Sequence, residues 1–157
     1  MPANSEIEKQ YSELRKKYKL PEFRDVDFEL EISDLEPTNF LARAIIRGIA
    51  EKLDFYARLI EEMLQPDASN VYAMHETRFF DDAEKKKAYE TYAKLMDFSR
   101  QSVLLSLSRD EKGEAQFISN FFEEWKTLKT EMIAYVRKMK ESWKTIADTE
   151  EDIGYLG

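Results

Sequence analysis

One histidine, His75, and no cysteine occur in the chain, which narrows the chemistry it can perform. Catalytic triads and multi-histidine metal centres need an imidazole together with further partners. Disulfides, thiolate ligands and cysteine nucleophiles are excluded outright. The string Met74-His75-Glu76-Thr77-Arg78 lacks the second histidine, four positions on, that a zinc-binding HExxH helix requires. His75 therefore reads as a surface or hydrogen-bonding residue of a connecting loop, with Glu76 and Arg78 as the neighbours that would tune it. Carboxylate-bridged di-iron bundles need Glu-x-x-His pairs on two helices, and no such pair occurs. Gly48 and Gly113 are isolated, so neither a Walker A loop nor GxGxxG can be drawn, and no GxSxG elbow surrounds any serine. The expectation is a non-enzymatic protein without a cofactor or a bound metal.

Charge is distributed unevenly. Residues 20–36 hold seven acids (Glu22, Asp25, Asp27, Glu29, Glu31, Asp34, Glu36) against the single base Arg24. Residues 126–144 hold six bases (Lys126, Lys129, Arg137, Lys138, Lys140, Lys144) against Glu131 and Glu141. That second cluster is a candidate basic face for nucleic acid or for an acidic partner. The net charge of −8 argues against nucleic acid as the main partner. The favoured reading is that the acidic segment lies near the basic helix, or that both faces are simply solvated.

The elements that must carry these groups are helical. Only four glycines and four prolines interrupt the chain, which favours long helices. A first helix starts at a capping box, Ser5 to Glu8, and ends before Pro21. Its narrow apolar stripe, Ile7, Tyr11, Leu14 and Tyr18, suits a position on the surface of a bundle. A second helix spans 39–64, with its polar positions Arg43, Arg47, Glu51, Asp54, Arg58 and Glu62 on one stripe and apolar residues elsewhere. Gly48 in its middle suggests the close approach of another backbone. Residues 65–80 form a connector with a short helical turn. A third helix begins at Asp81, with Glu84 completing a capping box, and ends near Leu107. Its expected core stripe is Tyr89, Tyr92, Met96, Val103 and Leu107, with Ser99 filling the gap. The fourth helix, 114–146, carries Ile118, Phe121, Trp125, Leu128, Met132, Tyr135, Met139 and Ile146 at alternating spacings of three and four, with Ser142 in the one polar slot.

One segment breaks the helical period. Val26, Phe28, Leu30 and Ile32 alternate with Asp25, Asp27, Glu29 and Glu31, the pattern of a strand with one apolar face. No second segment of that kind exists to pair with it, so it reads as an extended arm laid across the helices or pairing with another molecule.

The expected fold is an all-α antiparallel bundle of three long helices, with a shorter N-terminal helix and an extended acidic arm. It occupies one domain, 1–147, followed by a frayed acidic tail, 148–157. No apolar run is long enough to span a membrane, the N-terminal residues lack the apolar core of a signal peptide, and the lack of cysteine fits a reducing compartment, so the expected location is the cytoplasm. The expected function is a protein–protein interaction or scaffold module, self-association being one form of it. The partner-binding candidates are Val26, Phe28, Leu30 and Ile32 of the arm, and Met139 and Trp143 near the end of the fourth helix. Nucleic-acid association through Lys126–Lys144 is the alternative. A ligand pocket lined by Tyr89, Tyr92 and Tyr135 is a third reading.

Overall fold

Helical spacing dominates the chain, and the backbone follows it. The computed structural model describes residues 3–145, and among these there are six α-helices, one 3₁₀ turn and no strand. The helices are α1 (Ala3–Lys17), α2 (Phe23–Leu30), α3 (Leu41–Leu64), α4 (Val71–Thr77), α5 (Asp82–Ser108) and α6 (Glu111–Ser142), with the 3₁₀ turn at Ile32–Asp34. The all-α class holds. The tail 148–157 and Ile146 lie outside the described residues. The chain forms two compact units, one of the residues up to Asp54 with Met96–Lys126, the other of Phe55–Leu95 with the residues from Thr127 onward.

In the first unit, the segment expected to be an extended arm is helical. A lone strand would leave its backbone donors and acceptors unpaired, whereas a helix satisfies them locally. A helical period is also present there, since Phe23, Val26 and Leu30 are spaced by three and four. The four alternating residues therefore do not share a face. Val26 and Ile32 are buried, Leu30 is half-buried, and Phe28 is 77% exposed. Glu31 ends α2 in the left-handed region, at φ 51°, with its N–H donating to Asp27 O at 2.7 Å. The Asp27 carboxylate then accepts from the Ser33 N–H at 2.7 Å, which turns the chain into the 3₁₀ segment.

Helix α1 begins before Ser5, so that residue lies inside the helix rather than capping it. Its stripe is used as expected, with Ile7 and Tyr11 fully buried. The Tyr11 hydroxyl donates to Pro21 O at 2.6 Å and its ring meets Phe23 edge-on at 5.7 Å, which ties α1 to the start of α2. Burial pushes the Tyr11 phenol well above its ordinary pKa. The rest of this core is aliphatic and aromatic. Ile45, Ile49 and Leu53 of α3 are fully buried, and Phe98, Phe117, Phe121 and Trp125 form a ring cluster with centroid separations of 5.9, 5.7 and 5.3 Å. Gly48 does not mark a close backbone approach. A Cβ placed there would meet only Leu30 Cδ2 at 3.9 Å, an ordinary contact.

In the second unit, the capping box of α5 forms as expected. The Asp81 carboxylate accepts from the Glu84 N–H at 2.8 Å, and Glu84 accepts from the Asp81 N–H at 3.1 Å. The expected connector contains α4, capped by Asn70, whose side chain accepts from the Ala73 N–H. The Thr77 hydroxyl donates to Met63 O at 2.6 Å and pins α4 to the end of α3.

The core face of α5 differs from the expected one by a single position. Ala88, Thr91, Leu95, Phe98, Ser102 and Leu105 are buried, while Tyr89, Val103 and Leu107 are exposed and Tyr92 and Met96 are half-buried. Both stripes have helical spacing. The one that turns inward holds the smaller residues Ala88, Thr91 and Ser102, which admit closely packed neighbours. On α6 every described seam position from Ile118 to Met139 is buried, and so is Ser142.

Candidate interaction surfaces

Two tryptophans anchor the ends of the structure's short helices, one in each unit. In the first unit, the Trp125 indole N–H donates to the Glu29 carboxylate at 2.9 Å, and Lys52 Nζ lies 3.6 Å from the same carboxylate. Lys52 also sits 5.4 Å from the Trp125 ring centre. Glu29 thus brings its charge inside because an indole N–H and an ammonium group meet it there. The acidic segment is neutralised in part by its own unit: Arg15 pairs with Glu22 and Lys52 with Glu29.

In the second unit, the last carbonyls of α6 need partners that the helix cannot provide. His75 supplies one. Its Nε2 lies 3.0 Å from Ser142 O, and because a carbonyl only accepts, that nitrogen carries the hydrogen. The imidazole is buried, stacks on Trp143 at 4.1 Å and lies 5.2 Å from Phe79. The Trp143 N–H donates to Glu76 at 3.0 Å. Of the two expected roles, surface or hydrogen-bonding, His75 takes the second, and it does so buried on a helix rather than on a loop.

The candidate partner residues are unequally placed. Val26, Ile32 and Met139 are core residues, and Leu30 is half covered. Trp143 stays 51% exposed but already leans on α4. Phe28, at 77%, is the most exposed of the six.

The candidate basic face is similarly divided. Lys138 pairs with Glu84 and sits 5.3 Å from the Phe80 ring centre, and Lys144 pairs with Glu141 at 3.1 Å. Lys126 and Lys129 have interactions of their own as well. Arg137 and Lys140 are exposed on the same helix as the exposed apolar residues Ile133 and Val136. The three tyrosines of the third reading are not equally placed. Tyr135 is buried with its hydroxyl 3.0 Å from Thr91 Oγ1, while Tyr89 points to solvent. Burial also raises the Tyr135 pKa.

Among the described residues, the largest exposed aliphatic cluster on a single helix face lies on the last turns of α5. Leu107 is 79% exposed, Leu104 66%, and Val103 about half. These three fall within roughly a quarter-turn arc of the helix surface. Val103 and Leu107 belong to the stripe expected to be buried, and Leu104 carries no periodic signal that would have marked it. Asp97 and Arg100 stand at one end of this patch, and Arg109 and Asp110 at the other, all exposed.

Among the described residues, no helix is long and apolar enough to cross a membrane, and no three His, Asp or Glu side chains gather as ligands for a metal ion. No protein family matches this chain, and no curated protein or solved structure does either.

Proposed function

We propose that the protein acts by binding protein rather than by catalysis, as a helical interaction module that self-associates through the last turns of α5. The observation that supports this reading is the exposure of Val103, Leu104 and Leu107 side by side on one helix face. Contiguous apolar surface of this kind on a soluble helix is costly to hydrate and favours burial against another helix. A second copy of the chain suits the patch because each end carries one acid and one base. In a two-fold pairing the Asp97–Arg100 end of one copy meets the Arg109–Asp110 end of the other, so each rim brings acids and bases of both copies together and neither rim is of one sign.

Light scattering over a concentration series tests this directly. The expected result is a monomer–dimer equilibrium that Leu104→Glu or Leu107→Glu shifts to monomer with the helical circular dichroism unchanged. A chain that stays monomeric at the highest soluble concentration overturns the reading. Nucleic-acid association is the second reading, supported by the exposure of Arg137 and Lys140 on α6. Its mark is binding of RNA or DNA at low salt that weakens steeply as salt rises and disappears on charge reversal at those two positions.

A further inference from the structure

Two of the longest helices in the chain, α5 and α6, are joined by only two residues, Arg109 and Asp110. Within the first unit α6 runs back along α5, with Phe98 against Phe117 and Phe121. A reversal this tight commonly uses glycine just past the helix end, because that position takes a left-handed backbone. Here the left-handed residue is Arg109, at φ 50°, a region that disfavours a side chain. Serines close the last carbonyls of α5, Ser106 donating to Val103 O at 2.6 Å and Ser108 to Leu105 O at 3.4 Å.

Little in the local sequence stops α5 from continuing. No glycine or proline occurs between Pro66 and Gly113, so residues 82–112 all accept a helical backbone. Gly113 serves the closed turn. A Cβ there would meet Asp110 Oδ2 at 2.5 Å and Leu105 Cδ2 at 3.2 Å. In a helix running straight through, positions 110 and 113 lie one turn apart, and alanine suits the second better than glycine. The contacts that seat α6 in the first unit go to other elements as well: Glu111 to Lys17, Glu114 to Arg43 and Trp125 to Glu29. A second copy of the chain presents the same partners. A short, strained link between elements whose contacts a copy can supply favours exchange of an element between copies.

We propose that the Arg109–Asp110 link is a swapping hinge. Residues 82–142 join into one continuous helix, and α6 takes in a second copy of this chain the place that it holds in its own. The exchange is independent of the α5 patch and stands whether or not that patch associates. Because α6 must leave its core before it is exchanged, the swapped dimer forms slowly and survives dilution, whereas a dimer held by the patch alone dissociates.

The test concentrates the full chain, warms it to just below its melting temperature, cools it, and sizes it by light scattering after dilution. A dimer that persists on dilution is expected, and Leu104→Glu should leave it in place. Arg109→Gly relieves the turn and weakens the straight helix, so it should lower the dimer fraction roughly tenfold or more. Gly113→Ala should raise it by a similar factor, with the helical spectrum intact in both variants. The chain has no cysteine, so Asp97→Cys with Asn120→Cys, at two exposed positions, accepts two spin labels and no others. Labelled chain is mixed with excess unlabelled chain before warming, so that only distances within one chain are read. The labels should lie roughly 35 Å apart in the isolated dimer and roughly 10–15 Å apart in the monomer. A dimer with the monomer's distance would overturn the proposal. So would a dimer fraction that Arg109→Gly and Gly113→Ala leave unchanged, or a Gly113→Ala chain that never yields a dilution-resistant dimer.

Discussion

Trp125 and Trp143 make the same hydrogen bond in different surroundings. Each donates its indole N–H to a glutamate on a short helix, Glu29 of α2 or Glu76 of α4, at 2.9 and 3.0 Å. Trp125 is 3% exposed and stacked on Phe121, whereas Trp143 is half exposed and stacked on His75. A hydrogen bond shielded from water loses more when broken than one that water can replace. The short helix α2 is thus fastened through the core of its unit, and α4 is held partly through a contact that solvent can reach.

The largest effect should come from Trp125→Ala, which removes a buried ring and leaves a cavity, at a cost of about 3–5 kcal/mol in denaturant unfolding. Equal destabilisation by Trp143→Ala would break the contrast between the two sites, since the half-exposed ring should cost about 1–2 kcal/mol. Between these lies Glu29→Ala. It strands both the Trp125 N–H and Lys52 and should cost about 2–3 kcal/mol, against less than about 1 kcal/mol for Glu76→Ala. A smaller change of opposite sign is expected at Gly48. The added methyl of Gly48→Ala meets only Leu30 at ordinary contact distance, so the variant should gain about 0.5–1 kcal/mol from helix propensity. A loss of stability there would show that α2 packs more tightly on α3 than the 3.9 Å contact indicates.

The smallest expected effect is electrostatic. Hydrogen bonds from Lys17, and then from the Tyr18 hydroxyl, hold the Glu111 carboxyl below its ordinary pKa. Because the folded value is depressed, the contribution is present above the ordinary carboxylate range and is lost as the pH falls through the folded value. Carboxyl NMR should follow Glu111 titrating below a reference glutamate, and Lys17→Met should bring it back toward normal.

The α6 seam was legible residue by residue because its inward positions are large and apolar and its outward ones are mostly charged. On α5 the contrast is weaker. Thr91 and Ser102 turn inward while Val103 and Leu107 turn outward, so counting apolar residues selects the neighbouring stripe. The α2 segment misled for a different reason. Eight residues can satisfy a period of two and a period of three to four at once, and only the lack of a strand partner decides between them. Of the candidate partner residues, Phe28 and Trp143 kept solvent exposure.

The spacing of apolar side chains by itself determined that this chain is mainly helical and placed the ends of α1, α3, α5 and α6, though not of α2 or α4, near their observed positions. That information is local, carried by neighbours three and four residues apart and by capping side chains. Which stripe of α5 faces inward, where Glu29 meets an indole N–H and an ammonium group and why His75 is buried were decided only in three dimensions. Those outcomes depend on the volume and hydrogen-bonding capacity of groups distant in the chain, which no periodicity encodes.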